Sequence, residues 1–328
     1  MAERAAIEVS DLAVRFRQRE RTIHAVNGVS FRLASGEVLG IIGESGCGKS
    51  VTLRALMRLL PANCEIDGRV VINGEDVTAA SAARLEELRG GIVAMIFQEP
   101  ATALDPVFTI GEQIAETILR HEAVSRRQAR LRALELMERV QIPSARRWLD
   151  AYPHEMSGGM RQRAMIALAL SCNPSVLLAD EPTTALDVTV QIQILLLLRE
   201  LQREFGMSVI FVTHDVGAAV EVSDRLAVMY AGRFVETGNV CDVLKRRAHP
   251  YTEGLLAANL HGAEPGTRLM AIPGSPPNLA TLPQGCSFAP RCAYALDDCI
   301  KTDPSPVPCG NEHIARCFRV EERLKVFA

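Results

Sequence analysis

Aromatic residues and charge imbalance are both scarce in this sequence. Phe, Trp and Tyr make up 5% of its 328 residues, with one Trp, and the formal net charge is −3. A near-neutral chain has no general electrostatic footprint for nucleic acid, so nucleic acid is not an expected partner. Long apolar runs are missing too. No uninterrupted stretch approaches the roughly 20 residues needed to span a bilayer, and the opening MAERAAIEVS lacks the apolar core of a signal peptide. Any pore must come from other chains. Tight cysteine pairs are absent as well: Cys286, Cys292, Cys299 and Cys317 are separated by five, six and seventeen residues. Those spacings match neither common zinc modules nor ferredoxin runs, so spacing leaves any metal open.

What is present points to an α/β nucleotide-binding chain. Hydrophobic residues make up 48% and charged residues 23%, and the length suffices for two lobes and an appendage. GESGCGKS at 43–50 fits the phosphate-loop pattern through Gly43, Gly48, Lys49 and Ser50. It follows the strand-like EVLGII and precedes the helix-like VTLRALMRLL, the context the pattern requires. In such a loop the backbone N–H groups of Gly43, Glu44, Ser45, Gly46, Cys47, Gly48 and Val51 wrap phosphate, Lys49 adds a point charge and the Ser50 hydroxyl is a Mg²⁺ ligand. SVLLADEP at 175–182 reads as a buried strand delivering Asp180 and Glu181 to its carboxyl edge. There Asp180 would hold Mg²⁺ and Glu181 would polarise an attacking water. VIFV at 209–212 is a β-branched run that brings His214 to the same edge.

Residues 156–163 read MSGGMRQR. Ser157 is a good N-cap, Gly158 and Gly159 admit a ligand close to the backbone, and the helix is expected over RQRAMIALAL. Bare N–H groups and a positive dipole end make this a second anion site.

These motifs, in this order, resemble the nucleotide-binding subunits of ABC transporters, and the resemblance runs to about Leu260. It implies a RecA-like P-loop domain with an antiparallel β lobe at 1–98 and 172–240. A helical subdomain with the signature motif at 99–171 and a proline- and cysteine-rich extension at 241–328 complete the expected division. It further implies that Gln98 in IFQEP contacts Mg²⁺ or the attacking water, that His214 in FVTHD steadies the γ-phosphate, and that Phe16 stacks on adenine. Glu181, His214 and Gln98 are thus the expected catalytic set, and Ser50, Gln98 and Asp180 the expected Mg²⁺ ligands. In this family two subunits pair head to tail, so Ser157, Gly158, Gly159 and Asp187, the last in the D-loop TALD, would act in trans on the partner's ATP.

From HPYT at 249 and IPGSPP at 272–277 to the terminus, the sequence resembles the ATPases of oligopeptide and dipeptide importers. That resemblance implies import powered through two transmembrane permease subunits fed by an extracytoplasmic solute-binding protein, at the cytoplasmic face of the bacterial plasma membrane. A second, related ATPase chain is the expected partner. It also implies a [4Fe–4S] cluster on Cys286, Cys292, Cys299 and Cys317; Zn²⁺ or unliganded thiols are the alternatives, and Cys309 is a rival to Cys317. Importers of nickel, oligosaccharide or opine share the same motor, and a non-transport ABC ATPase of DNA repair or translation is a more distant reading. Prolines at 273, 276, 277, 283, 290, 304, 306 and 308 argue against long helices in the tail, which should wrap the core.

Overall fold

The structure is a computed structural model, and it describes residues 5–18, 21–258 and 271–326. The chain divides into two compact units, one built on Ala34–Glu37 and Ala79–Phe211, the other on Ile7–Leu33, Val38–Thr78 and the residues from Val212 onward.

In the first unit, the strands Val93–Ile96 and Val176–Asp180 pair in parallel, with Val93 opposite Val176 and Ile96 opposite Ala179. Both are buried along their whole length, as a parallel strand covered on two faces requires. Ser208–Thr213 lies on the other side of Val176–Asp180. Two of the helices between them start on capping boxes. Thr109 and Glu112 form a capping box for Ile110–His121, and Ser125 and Gln128 form one for Arg126–Arg139. Each box satisfies two N–H groups that the first turn leaves open. Ile110, Ile114 and Ile118 on the first helix and Ala129, Ala133 and Met137 on the second are buried, a three- and four-residue rhythm that turns one face of each helix inward.

The second unit holds a four-stranded antiparallel sheet in the order Thr22–Ala34, Ala5–Arg17, Cys64–Ile72, Glu75–Asp76. It also holds the strand Val38–Ile42, which pairs in parallel with Arg225–Tyr230. Arg225–Tyr230 in turn forms a hairpin with Arg233–Asn239. The tail extends this arrangement. His313–Ala315 pairs antiparallel with Arg233–Asn239, and Val307–Gly310 pairs with His313–Ala315. The expected absence of long helices holds among the described tail residues, whose helices Asp297–Lys301 and Val320–Val326 span five and seven residues. The strand hairpin was not foreseen, because Val307–Gly310 contains a proline and is only four residues long.

Two features bind the tail to its unit. Tyr251, Phe288, Ile272 and Leu279 join Ile42, Leu226, Val228 and Tyr230 in one hydrophobic cluster. Beside it, the buried Glu236 carboxylate accepts from the N–H groups of Ala248 and His249 at 2.8 and 2.9 Å and is 2.8 Å from His313 Nε2. Three partners compensate a carboxylate that burial would otherwise penalise.

Among the described residues no helix is long and apolar enough to cross a membrane.

Candidate functional site

The loop Gly43–Ser50 runs from the buried strand Val38–Ile42 into the helix Lys49–Leu56. Its shape demands glycine. Gly48 sits at φ 110°, and a Cβ there would lie 2.4 Å from the Ala25 carbonyl oxygen. Gly43 is equally tight, since a Cβ would meet the Met229 carbonyl oxygen at 2.2 Å. Backbone that close-packed has no room for a side chain at these two positions, as a loop that wraps phosphate with its backbone requires. Lys49 is buried, and its ammonium donates to the carbonyls of Gly43 at 2.8 Å and Glu44 at 3.0 Å. Two neutral carbonyls orient the ammonium without bringing an opposing charge of their own, which suits it to polyphosphate. Cys47 is also buried, and burial pushes its thiol above the ordinary range, so it is a poor nucleophile. Phe16 is half-buried on Ala5–Arg17, opposite Cys64 in the antiparallel sheet.

His214 follows the strand Ser208–Thr213 and is exposed. The next residue, Asp215, caps the helix Val216–Val222 by accepting from Gly217 and Ala218. His214 thus sits at the carboxyl end of its own strand, between that strand and the helix that Asp215 caps.

In the first unit, Asp180 ends the strand Val176–Asp180 and is fully buried. Glu181 follows with φ 46°, a left-handed backbone that a Cβ-bearing residue adopts at a cost of about 1–3 kcal/mol. Its Oε2 accepts from Thr184 Oγ1 at 2.9 Å and from Gln98 Nε2 at 3.3 Å. The sequence named Gln98 and Glu181 separately; the structure brings them into one hydrogen-bonded group with Thr184, whose side chain sequence reasoning left without a role. Ala185 also has positive φ, 65°, so the turn from Glu181 to Asp187 stores strain at two positions.

Ser157 is the N-cap of the helix Gly158–Ala169, and its hydroxyl accepts from Met160 N–H at 3.3 Å. The helix begins at Gly158, three residues earlier than the apolar and basic run suggested, because glycine in a first turn is tolerated when a cap precedes it. Ser157 and Gly158 are exposed. A Cβ at Gly159 would come 2.9 Å from Val190 Cγ1, so the helix start packs on the helix Val188–Phe205 that Asp187 caps through Val190 N–H.

The metal-centre expectation is corrected. Among the described residues no group of three or more His, Cys, Asp or Glu side chains is arranged to hold a metal ion, so neither the iron–sulfur cluster nor the zinc alternative at Cys286, Cys292, Cys299 and Cys317 is supported. The four thiols do line one cavity, but it measures about 20 Å³, about the room one water needs. Burial pushes the Cys286 thiol up to about 11 and raises Cys292 and Cys317 as well. Cys286 and Cys292 pack against the cluster around Tyr230 and Tyr251. Cys309, the rival ligand, does not line the cavity and belongs to a separate small core with Ala248, Ala315 and Val320.

Comparison with known proteins fits this geometry. Residues 26–184 match the ABC transporter family, and residues 235–299 match the oligopeptide/dipeptide transporter C-terminal region. A peptide import ATP-binding protein of Brucella melitensis is 47% identical over 98% of this chain and 99% of its own length. One of Brucella abortus is 50% identical over 91% of this chain and 90% of its own. Among solved structures, the dimeric post-hydrolysis state of an ATP-binding cassette with ADP and Pi matches at TM-score 0.64 and 30% identity, covering 71% of this chain and 98% of that one. A cassette of Clostridium perfringens, part of an ABC transporter complex, matches at TM-score 0.64 and 27% identity, covering 75% and 92%. The loop at Gly43–Ser50, the acidic strand end, the capped signature helix and the matched tail agree with one another, and the chain belongs to the ATP-binding subunits of ABC transporters that carry the oligopeptide/dipeptide transporter C-terminal region.

Proposed function

We propose that this ATPase powers the import of dipeptides and oligopeptides, and that it does so as a peripheral subunit at the cytoplasmic face of a bacterial plasma membrane. The observation that carries the cargo is the reach of the similarity. Relatives named for peptide import align with the chain nearly end to end, including the tail that matches the oligopeptide/dipeptide transporter C-terminal region. Nickel, sugar or opine import would use the same motor with a different permease, and no feature of this chain favours them.

The residue roles follow from the chemistry of each group. Lys49 and the backbone of Gly43–Ser50 bind the phosphates of ATP, with Phe16 against adenine. Ser50, Gln98 and Asp180 offer the oxygen donors that suit the Mg²⁺ arriving with the nucleotide, a hard cation. Glu181, held by Gln98 and Thr184, orients and polarises the attacking water, and His214 steadies the γ-phosphate. Ser157, Gly158, Gly159 and Asp187 serve the partner's nucleotide. Exposure of Ser157 and Gly158 supports that reading, because a helix start used in trans has to face outward. ATP then closes a dimer of ATPase chains and hydrolysis releases it, since only ATP carries the γ-phosphate that both halves contact. The partner ATPase is a second, related chain, with two permease subunits and an extracytoplasmic binding protein completing the importer.

Uptake of radiolabelled di- and tripeptides by cells lacking this chain tests the cargo. Uptake should be lost, restored by the wild-type chain and not by Glu181→Gln. Normal peptide uptake together with lost nickel, sugar or opine uptake would overturn the peptide reading.

A further inference from the structure

The phosphate loop is gripped from outside its own strand and helix. Glu44, the second residue of GESGCGKS, takes a two-pronged hydrogen bond from Arg291 in the tail: Nη1 donates to Oε2 at 2.7 Å and Nη2 to Oε1 at 3.0 Å. The same guanidinium donates to the Pro273 carbonyl at 2.8 Å, the Ile272 carbonyl at 3.4 Å and the Tyr230 hydroxyl at 3.2 Å. Its side chain is 4% exposed and lies against the rings of Tyr230 and Phe288. A fork so enclosed has no other orientation available. The backbone N–H of Glu44 donates to the Tyr251 hydroxyl at 2.9 Å. Tyr251 is fully buried, with its ring centroid 4.5 Å from that of Tyr230 and 5.4 Å from that of Phe288.

The consequence is electrostatic as well as steric. Glu44 puts a carboxylate into a loop whose ligand is a polyanion, and an uncompensated negative charge there opposes phosphate binding. Arg291 cancels that charge and fixes the residue whose carbonyl also holds the Lys49 ammonium. Glu44 alone among the loop residues has its side chain and its backbone N–H both tied to the C-terminal region in these contacts.

We propose that Arg291 and Tyr251 are positioning residues for the phosphate loop: the C-terminal region holds Glu44 and neutralises it, so that the ATP affinity of this cassette depends on its tail. The proposal rests on reading Gly43–Ser50 as the loop that binds ATP.

Titration calorimetry of the purified full chain with MgATP tests it. Arg291→Ala should weaken ATP binding about tenfold, the scale of a lost charge-assisted fork. Arg291→Lys should weaken it about threefold, because an ammonium reaches the carboxylate as a point charge. The decisive variant is the pair Arg291→Ala with Glu44→Gln. Removing the exposed carboxylate charge should recover affinity to within about threefold of wild type, a rescue that a merely structural role for Arg291 would not give. Tyr251→Phe keeps the ring packing and loses only the hydroxyl, so it tests the backbone half of the grip if Arg291→Ala melts without cooperativity; about threefold weaker binding is expected. Wild-type affinity in both Arg291→Lys and Tyr251→Phe, or a double variant weaker than Arg291→Ala alone, would overturn the proposal. Lys49→Ala separates the two levels: retained ATP binding in that variant overturns the loop reading itself, whereas loss there with wild-type affinity in the tail variants overturns the grip alone.

Discussion

The loop at Gly43–Ser50 and the cysteine cavity of the tail lie in the same compact unit and are built in opposite ways. The loop concentrates unspent polarity: glycine backbone too tightly packed to accept a Cβ, and an ammonium held by two neutral carbonyls. The cavity closes polarity off. Burial raises the Cys286, Cys292 and Cys317 thiols, three of the sulfurs accept from nearby backbone N–H groups, and Cys286 and Cys292 pack on aromatic and aliphatic neighbours. A cluster of chemically capable side chains becomes a site when the backbone around it leaves room for a ligand and holds a charge beside it. Where burial neutralises the groups, the same cluster is packing. Arg291 joins the two regions, one residue before Cys292 in the chain and bonded to Glu44 in the loop.

Ways to break this contrast run from large effects to small. Glu181→Gln should keep ATP binding while steady-state hydrolysis falls roughly 10²- to 10⁴-fold, the range for removing a water-activating group. Unchanged turnover would remove Glu181 from the reaction. Lys49→Ala should weaken ATP binding about 100-fold, because a buried charge-assisted contact to phosphate is lost; equilibrium nucleotide binding reads it.

The tail also responds to acid. Burial pushes the His249 imidazole down from 6.5 to about 4. The unfolded chain therefore binds a proton that the folded chain does not, so stability is full above the unfolded value and falls as pH drops from about 6.5 towards 4. Urea titrations at about pH 7.5 and about pH 5 should differ by about 2 kcal/mol from this group. His249→Asn keeps an acceptor for the Tyr251 N–H that caps the helix Pro250–Ala257 and should flatten that part of the slope. An identical slope in the variant would assign the acid sensitivity elsewhere. The smallest effect is expected at the cavity, where Cys299→Ser exchanges a weakly polar thiol for a hydroxyl among apolar neighbours at a cost of about 1 kcal/mol, read from the urea midpoint. A larger loss would mean that the thiol does more than pack.

The nucleotide motifs were legible because each is a local pattern whose geometry follows from the residues themselves. Gly48 has to be glycine beside Ala25, Ser157 has to cap, and a run of buried apolar residues has to end in Asp180 and Glu181. The tail was less legible for the same reason in reverse. Its cysteine spacing carries no geometry of its own, and the resemblance that suggested a metal centre is not matched by the arrangement of the thiols. The hairpin at Val307–Ala315 depends on the free edge of Arg233–Asn239, more than 60 residues away by sequence number. The Arg291–Glu44 pair spans 247 positions, and no local signal marks either residue. Thr184 beside Glu181 was within reach, since a hydroxyl three residues past a strained carboxylate is placed to bond back to it.

The central claim is that this chain's nucleotide is completed by a neighbour's signature helix, so that ATP makes the dimer. Light scattering on Glu181→Gln, prepared with its co-purified ATPase partner, measures this directly. MgATP should convert separate ATPase chains into a two-chain particle that ADP does not support and that Ser157→Arg prevents. A particle whose mass ignores nucleotide, or that forms equally well with Ser157→Arg, would contradict the account.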